Sequence, residues 1–224
     1  MPRKLFSGPA DRRITRALAV VAHPDDIEFY CAGSVLELTD RGVEVAFVLA
    51  TSGDKGTRLP GMTPEQLAAM REKEQIAAAA ILGVSQVEFL RHLDAELFES
   101  LQLRLEIVRS IRRARPDLLL TFDPGGGLRF HPDHRVIGRS ALDAAWPCAR
   151  DRLFHPELGE PWETAEAWCF GGWAKGVMVE VGERLERKID ARLQHKSQTG
   201  SPDTLRTRWR RMAAVERFRQ VDLR

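Results

Sequence analysis

Four short apolar runs, each followed by a stretch of helical character, constrain this chain more than any other feature. Residues 16–22, with Ala17-Leu18-Ala19-Val20-Val21 at their centre, 43–50, 86–90 and 117–122 read as strands. The stretches 30–41, 64–82, 100–114 and 134–146 read as helices. Runs that are apolar throughout, without alternation, belong to strands buried on both faces, and strand and helix in turn give a mostly parallel sheet. The fold class expected is therefore α/β, with helices covering both faces of a central sheet. The helix over 64–82 has clear boundaries: Thr63 and Gln66 form a capping box around Pro64, and Gly83 can end it in the left-handed conformation.

Beyond Pro147 the pattern loosens. Residues 147–164 carry Pro147, Pro156, Gly159 and Pro161 and read as a long irregular connection. Strands are expected at 165–170 and 176–181, then helices at 183–198 and 202–219, the last opening on Ser201-Pro202-Asp203. No repeat, low-complexity tract or interdomain linker divides the chain, and 224 residues suit one domain.

The ionisable residues are concentrated where such a sheet places its ligands. Ala22-His23-Pro24-Asp25-Asp26-Ile27-Glu28 follows the first strand, and Asp123-Pro124-Gly125-Gly126-Gly127 with His131-Pro132-Asp133-His134 follows the fourth. C-terminal strand ends of a parallel sheet share one edge, so the two clusters can converge. His23 and Asp26, three residues apart across a proline, and His134 from the other loop offer two imidazoles and a carboxylate, leaving a fourth metal position open. That is the ligand set of a catalytic zinc, one per chain, which acidifies a water to a pKa of about 7. Iron(II) suits the same triad. Asp25, beside the ligands, is placed to act as general base. His131 is the candidate cation for an oxyanion, with Asp133 holding it protonated; Asp133 alone also reads as a helix N-cap. Glu28 stays outside the catalytic set, since a solvated residue in the first helical turn accounts for it.

Other features exclude alternatives. The triple glycine does not match a nucleotide fingerprint, and Asp25 and Asp26 would repel a pyrophosphate at the first turn. Cys31, Cys148 and Cys169 are scattered and odd in number, which argues against disulfides or a thiolate zinc site and fits a cytoplasmic protein. No apolar run approaches membrane-spanning length, and Met1–Arg13 lacks a secretory core. Arg206, Arg208, Arg210, Arg211, Arg217, Arg219 and Arg224 make the C-terminus basic, but the net charge is only +2 and no nucleic-acid partner is expected.

The two histidine-aspartate motifs resemble those of the LmbE-like, or PIG-L, family of zinc-dependent N-acetyl deacetylases. The likeness extends through Thr51-Ser52-Gly53-Asp54-Lys55-Gly56-Thr57, Arg71, Glu72 and Glu74, Leu82-Gly83-Val84, Phe89-Leu90, Asp94 and His195-Lys196-Ser197-Gln198. It implies a Rossmann-like three-layer sandwich in one domain, with 147–181 as a variable substrate-pocket region and 182–224 as C-terminal helices. It also implies hydrolysis of the acetamide of an N-acetylglucosaminyl or related amino-sugar small molecule. By position, His23, Asp26 and His134 match the zinc ligands, Asp25 the base, and His131 the acid oriented by Asp133. Arg71 and Asp94 match substrate contacts. Where some relatives carry a tyrosine, this chain has Arg129, a candidate for a related electrostatic role, and its only tyrosine is Tyr30. Trp146, Trp162, Trp168 and Trp173 are candidates to stack on a sugar. Two rivals stand beside this reading: a metal-dependent phosphoesterase, and a non-catalytic polyanion-binding module using the arginine-rich C-terminus. The residues do not decide for or against a homo-oligomer.

Overall fold

The computed structural model describes residues 14–57, 59–126, 131–172 and 176–224. The strands are β1 (Arg16–Val21), β2 (Glu44–Thr51), β3 (Gln86–His92), β4 (Leu118–Phe122), β5 (Glu166–Phe170), β6 (Val177–Glu180) and β7 (Val215–Asp222). The helices are α1 (Asp26–Tyr30), α2 (Ala32–Asp40), α3 (Pro64–Ile81), α4 (Leu101–Ala114), α5 (Pro132–Asp143), α6 (Leu185–Arg192) and α7 (Pro202–Met212). They build one sheet of seven strands in the order β3-β2-β1-β4-β5-β7-β6. β3, β2, β1, β4 and β5 run parallel, whereas β7 is antiparallel to both β5 and β6.

Burial explains the central strands. β4 is buried at every residue and β1 at all but Arg16, so their side chains meet helices on both faces. α4 and α5 pack together across one face, while α6 gathers α1, α2, α3 and α7 on the other. The expected three-layer α/β arrangement follows. α3 carries the capping box at Thr63 and Gln66, and Gly83 adopts φ +77 just beyond its end.

Two expectations for the C-terminal part give way. The helix expected over 202–219 ends at Met212, and 215–222 turns into β7 instead. The apolar residues Val215, Phe218 and Val221 are three apart and read as helical, but the inward residues next to one another on the strand are Glu216 and Phe218. A buried carboxylate at an inward position hid the alternation. Glu216 accepts hydrogen bonds from the Gly33 and Ser34 N–H groups at the start of α2 (both 2.7 Å) and pairs with buried Lys188 at 2.6 Å. The region 182–224 is thus helices plus an inserted strand. The helix expected over 183–198 shortens to α6, followed by turns through Gln198.

The irregular connection beyond α5 is held by one buried side chain. The Arg112 guanidinium donates to the carbonyls of Cys148, Ala149, Asp151, Phe154, His155 and Gly159. A planar group with five N–H donors can satisfy a loop that has no ladder of its own.

The topology places the site. β1 lies between β2 and β4, and successive connections lead from β1 outward to β3 before the chain returns to β4 on the other side. That reversal leaves a crevice beyond the C-terminal ends of β1 and β4, where open α/β sheets bind ligands. Both histidine-aspartate segments begin there.

Candidate active site

The first segment folds around Asp26. One of its carboxylate oxygens accepts the N–H groups of Ala22 (3.2 Å) and His23 (2.8 Å), curling the chain as it leaves β1. The other oxygen lies 3.0 Å from His134 Nε2. Asp25, at the turn into α1, takes φ +94, a left-handed conformation that costs a non-glycine residue about 1–3 kcal/mol and clusters at functional sites. Its N–H donates to Gln75 Oε1 at 3.0 Å.

The second segment is positioned by α5. Pro132 occupies the first turn of α5, His131 caps it, and one helical turn brings His134 over the sheet edge. The His134 ring stacks on Phe122 at the end of β4, centroid to centroid 3.8 Å and 11° from parallel. Gly138, one turn further along, allows this approach: a Cβ there would stand 2.4 Å from the Phe122 carbonyl oxygen.

His23 Nδ1, His134 Nε2 and Asp26 converge on one point. Nδ1 to Nε2 is 3.2 Å, His134 Nε2 to Asp26 Oδ1 is 3.0 Å, and His23 Nδ1 to the other Asp26 oxygen, Oδ2, is 3.6 Å. Ligands held 2.0–2.1 Å from a tetrahedral zinc lie about 3.3 Å from each other, so the triad has the span of a zinc face. Chemistry supports the fit. His23 Nε2 lies 3.1 Å from both Asp94 and Asp133, so it keeps its hydrogen, and Nδ1 is the nitrogen that would give up its proton to a metal. Nδ1 faces another imidazole nitrogen and a carboxylate, donors that a metal ion can share. Carboxylates behind a ligating imidazole also fix its tautomer and orientation.

These contacts dominate the titration of the buried ligands. Burial pulls the His23 pKa down, but the hydrogen bonds from Asp133, Asp26 and Asp94 outweigh it and push it up to about 12. For Asp26, burial would raise the carboxyl, and the His134 and His23 imidazoles override it to hold it well below the usual carboxylate range. Asp25 behaves oppositely. Burial raises its pKa, against the opposing pull of Arg192 at 3.2 Å and Arg71 at 3.8 Å.

Asp133 departs from its expected pairing. Its carboxylate serves His23 at 3.1 Å and the Ala95 N–H at 2.8 Å, and stands 3.9 Å from His131 Nδ1. His131 Nδ1 instead accepts the Asp133 N–H at 3.3 Å. Burial and the neighbouring His23 lower the His131 pKa, with Asp133 opposing only in part. With Nδ1 accepting the Asp133 N–H, Nε2 is the nitrogen His131 can offer to the pocket. Asp133 is thus closer to His23 than to His131, at 3.1 Å against 3.9 Å.

A pocket of about 310 Å³ opens over the triad, lined by His23, Asp25, Asp26, Phe29, Tyr30, Arg71, Asp94, His131, His134 and Gln198. Every described candidate for metal, catalytic or substrate contact except buried Asp133 and the tryptophans lines it; Arg129 lies outside the described residues, as does Trp173. Arg71 is buried and donates to the carbonyls of Pro24 (2.7 Å) and Gly53 (3.1 Å), bracing the first loop from beneath. Trp146, Trp162 and Trp168 stand away from the pocket: Trp162 binds the Pro116 carbonyl, Trp168 is in the core, and the aromatic lining comes from Phe29 and Tyr30.

Several participants escape a reading from composition and spacing. Glu28 is fully buried rather than solvated, 3.1 Å from His195 and hydrogen-bonded to Gln75, which in turn accepts the Asp25 N–H. Arg192 meets Asp25 from α6. The signal was present in the late His195-Lys196-Ser197-Gln198 motif, whose Ser197 ties to Glu74 of α3 through its N–H (2.7 Å) and hydroxyl (2.6 Å). Nothing in the spacing told that this motif packs behind residue 25. The basic C-terminus is partly neutralised locally: Arg206 and Arg210 pair with Glu186, Arg206 also with Asp190, and Arg219 with Asp123.

Known proteins resemble this chain in sequence and fold. The diacetylchitobiose deacetylase of Thermococcus kodakarensis is 36% identical over 188 residues, 83% of this chain and 70% of that enzyme. The 1D-myo-inositol 2-acetamido-2-deoxy-alpha-D-glucopyranoside deacetylase of Streptomyces scabiei is 32% identical over 81% of this chain, which spans 63% of its length. The solved N,N'-diacetylchitobiose deacetylase from Pyrococcus horikoshii, complexed with its inhibitor MPG, superposes with a TM-score of 0.87 at 26% identity, over 94% of this chain and 85% of that one. The profile of PIG-L, GlcNAc-PI de-N-acetylase, matches residues 18–145, from β1 through α5 and so across both arms of the candidate triad. With that span and those relatives, the chain belongs to the PIG-L family.

Proposed function

We propose that this chain is a zinc-dependent deacetylase that removes the acetyl group from an N-acetylglucosaminyl or related amino-sugar conjugate. The observation that carries the reading is the convergence of His23, Asp26 and His134 on one tetrahedral face, with Asp25 in the same pocket. The names of the relatives support the amide bond and the sugar class. A bound zinc would supply Lewis acidity, making a water acidic and polarising the acetyl carbonyl.

The chain's own groups do the rest. His23, Asp26 and His134 hold the ion, and Asp94 and Asp133 fix the His23 ring. Asp25 accepts the proton of the attacking water, a role aided by burial that makes its carboxylate more basic than an exposed one. His131, half exposed at the rim, donates its Nε2 hydrogen toward the oxyanion that forms from the acetyl carbonyl. The proton taken by Asp25 is then available to the departing amine, so acetate and a free amino sugar leave. Arg71 and Arg192 keep Asp25 ionised and aimed.

The geometry favours one metal over the pair a phosphoesterase would use. The second cluster, His23, His131 and Asp133, shares His23 through the nitrogen that already donates to carboxylates. Filling both sites would demand a ring with no hydrogen at all.

The test is a screen of the zinc-loaded protein against N-acetylglucosamine conjugates, following free amine, with Asp25→Asn beside the wild type. Wild-type turnover is expected, with the variant about 10²- to 10⁴-fold slower while keeping its zinc. Normal deacetylation by Asp25→Asn would remove the base assignment. Phosphate release without amine release would remove the deacetylase reading.

A further inference from the structure

Phe29 is out of place for a core residue. It sits in α1, three residues past the metal ligand Asp26, yet is 49% exposed and lines the pocket. It is also held still. The Arg192 guanidinium lies over its ring at 5.0 Å from the centroid, and Trp209 of α7 meets it edge-on at 5.1 Å and 66°. A guanidinium against one face and an indole against the edge fix the ring and leave the rest of it open to the pocket mouth. Both supports are buried, so the ring is a rigid platform.

The pocket suggests what lies on it. At about 310 Å³ it stands at the low end of small-ligand sites, so a conjugate seated on the triad extends past the rim. Gln198 and Arg71 line the same pocket, polar surroundings that suit a hydroxylated ring over a lipid tail. We propose that Phe29 is a stacking platform for a second ring of the substrate, a pyranose or cyclitol joined to the N-acetylhexosamine, and so sets a preference for ring-bearing conjugates. This rests on the amino-sugar deacetylase reading and narrows its substrate class.

The experiment uses the zinc-loaded protein with two probes, N-acetylglucosamine and N,N′-diacetylchitobiose. Wild type favours the disaccharide in kcat/KM. In Phe29→Ala that preference falls about tenfold, the order expected for loss of an aromatic stacking contact, and the change is in KM rather than kcat. Phe29→Trp, which keeps an aromatic face, retains the preference. Binding is read separately by calorimetry in the Asp25→Asn background, where Phe29→Ala weakens the disaccharide by the same factor. Equal losses for both probes, or none, overturn the platform. Phe29-dependent binding of the disaccharide without any turnover keeps the platform and overturns the deacetylase. Neither binding nor turnover of either probe overturns both.

Discussion

At the scale of single residues, adjacent aspartates divide into opposite electrostatic environments. Asp26 is surrounded by imidazoles and backbone N–H groups, whereas Asp25 is buried with its pKa raised and two arginines restraining the rise. As a base, Asp25 works only when ionised, so activity falls as pH drops through its pKa. Arg192 lowers that pKa, and removing it must raise it. Arg192→Ala is therefore expected to move the acid limb of the kcat/KM profile to higher pH, and an unmoved limb would show that Arg192 does not act on the base. The convergence of the candidate ligands and base was legible from their spacing around Pro24 and Pro132, and His23, Asp25, Asp26 and His134 do line one pocket. Asp133 was not, since its carboxylate answers to His23 and Ala95, partners 110 and 38 residues away. Glu28 was misread for the same reason: the His195 and Gln75 that bury it come from distant elements.

Elements were legible where their apolar pattern was unbroken. β1, β2, β4 and α3 came close to their expected bounds because each carries either a continuous apolar run or capping residues at fixed offsets. β7 failed because Glu216 occupies an inward position, a cost offset by capping α2 and pairing with Lys188. Glu216→Ala leaves Lys188 buried and alone, and should cost about 3–5 kcal/mol in urea denaturation. A loss below 1 kcal/mol would mean that water reaches Lys188. α5 is held to β4 at Gly138, where an added methyl meets the Phe122 carbonyl. Gly138→Ala is expected to cost about 1–3 kcal/mol and to weaken zinc binding as well, by lifting His134 from the sheet edge. Destabilisation with full zinc affinity would separate the helix position from the site.

For the whole molecule, the strand order does most of the work. Reversal between β1 and β4 opens a crevice, and two loops more than a hundred residues apart meet in it with a His/Asp cluster able to hold a metal ion. Alternating strands and helices were enough to expect that meeting, while the far side of the sheet depended on long-range contacts such as Arg112 on the 148–159 segment. Among the described residues no helix is long and apolar enough to cross a membrane. The central claim is that His23, Asp26 and His134 hold a single catalytic zinc. Its most direct test is zinc stoichiometry and affinity by equilibrium titration of wild type, Asp26→Ala and Asp25→Asn. The account predicts one zinc per chain in wild type and Asp25→Asn, and at least a tenfold weaker site in Asp26→Ala, where one of three protein ligands is gone. Two zinc ions per chain, or undiminished affinity in Asp26→Ala, would contradict it.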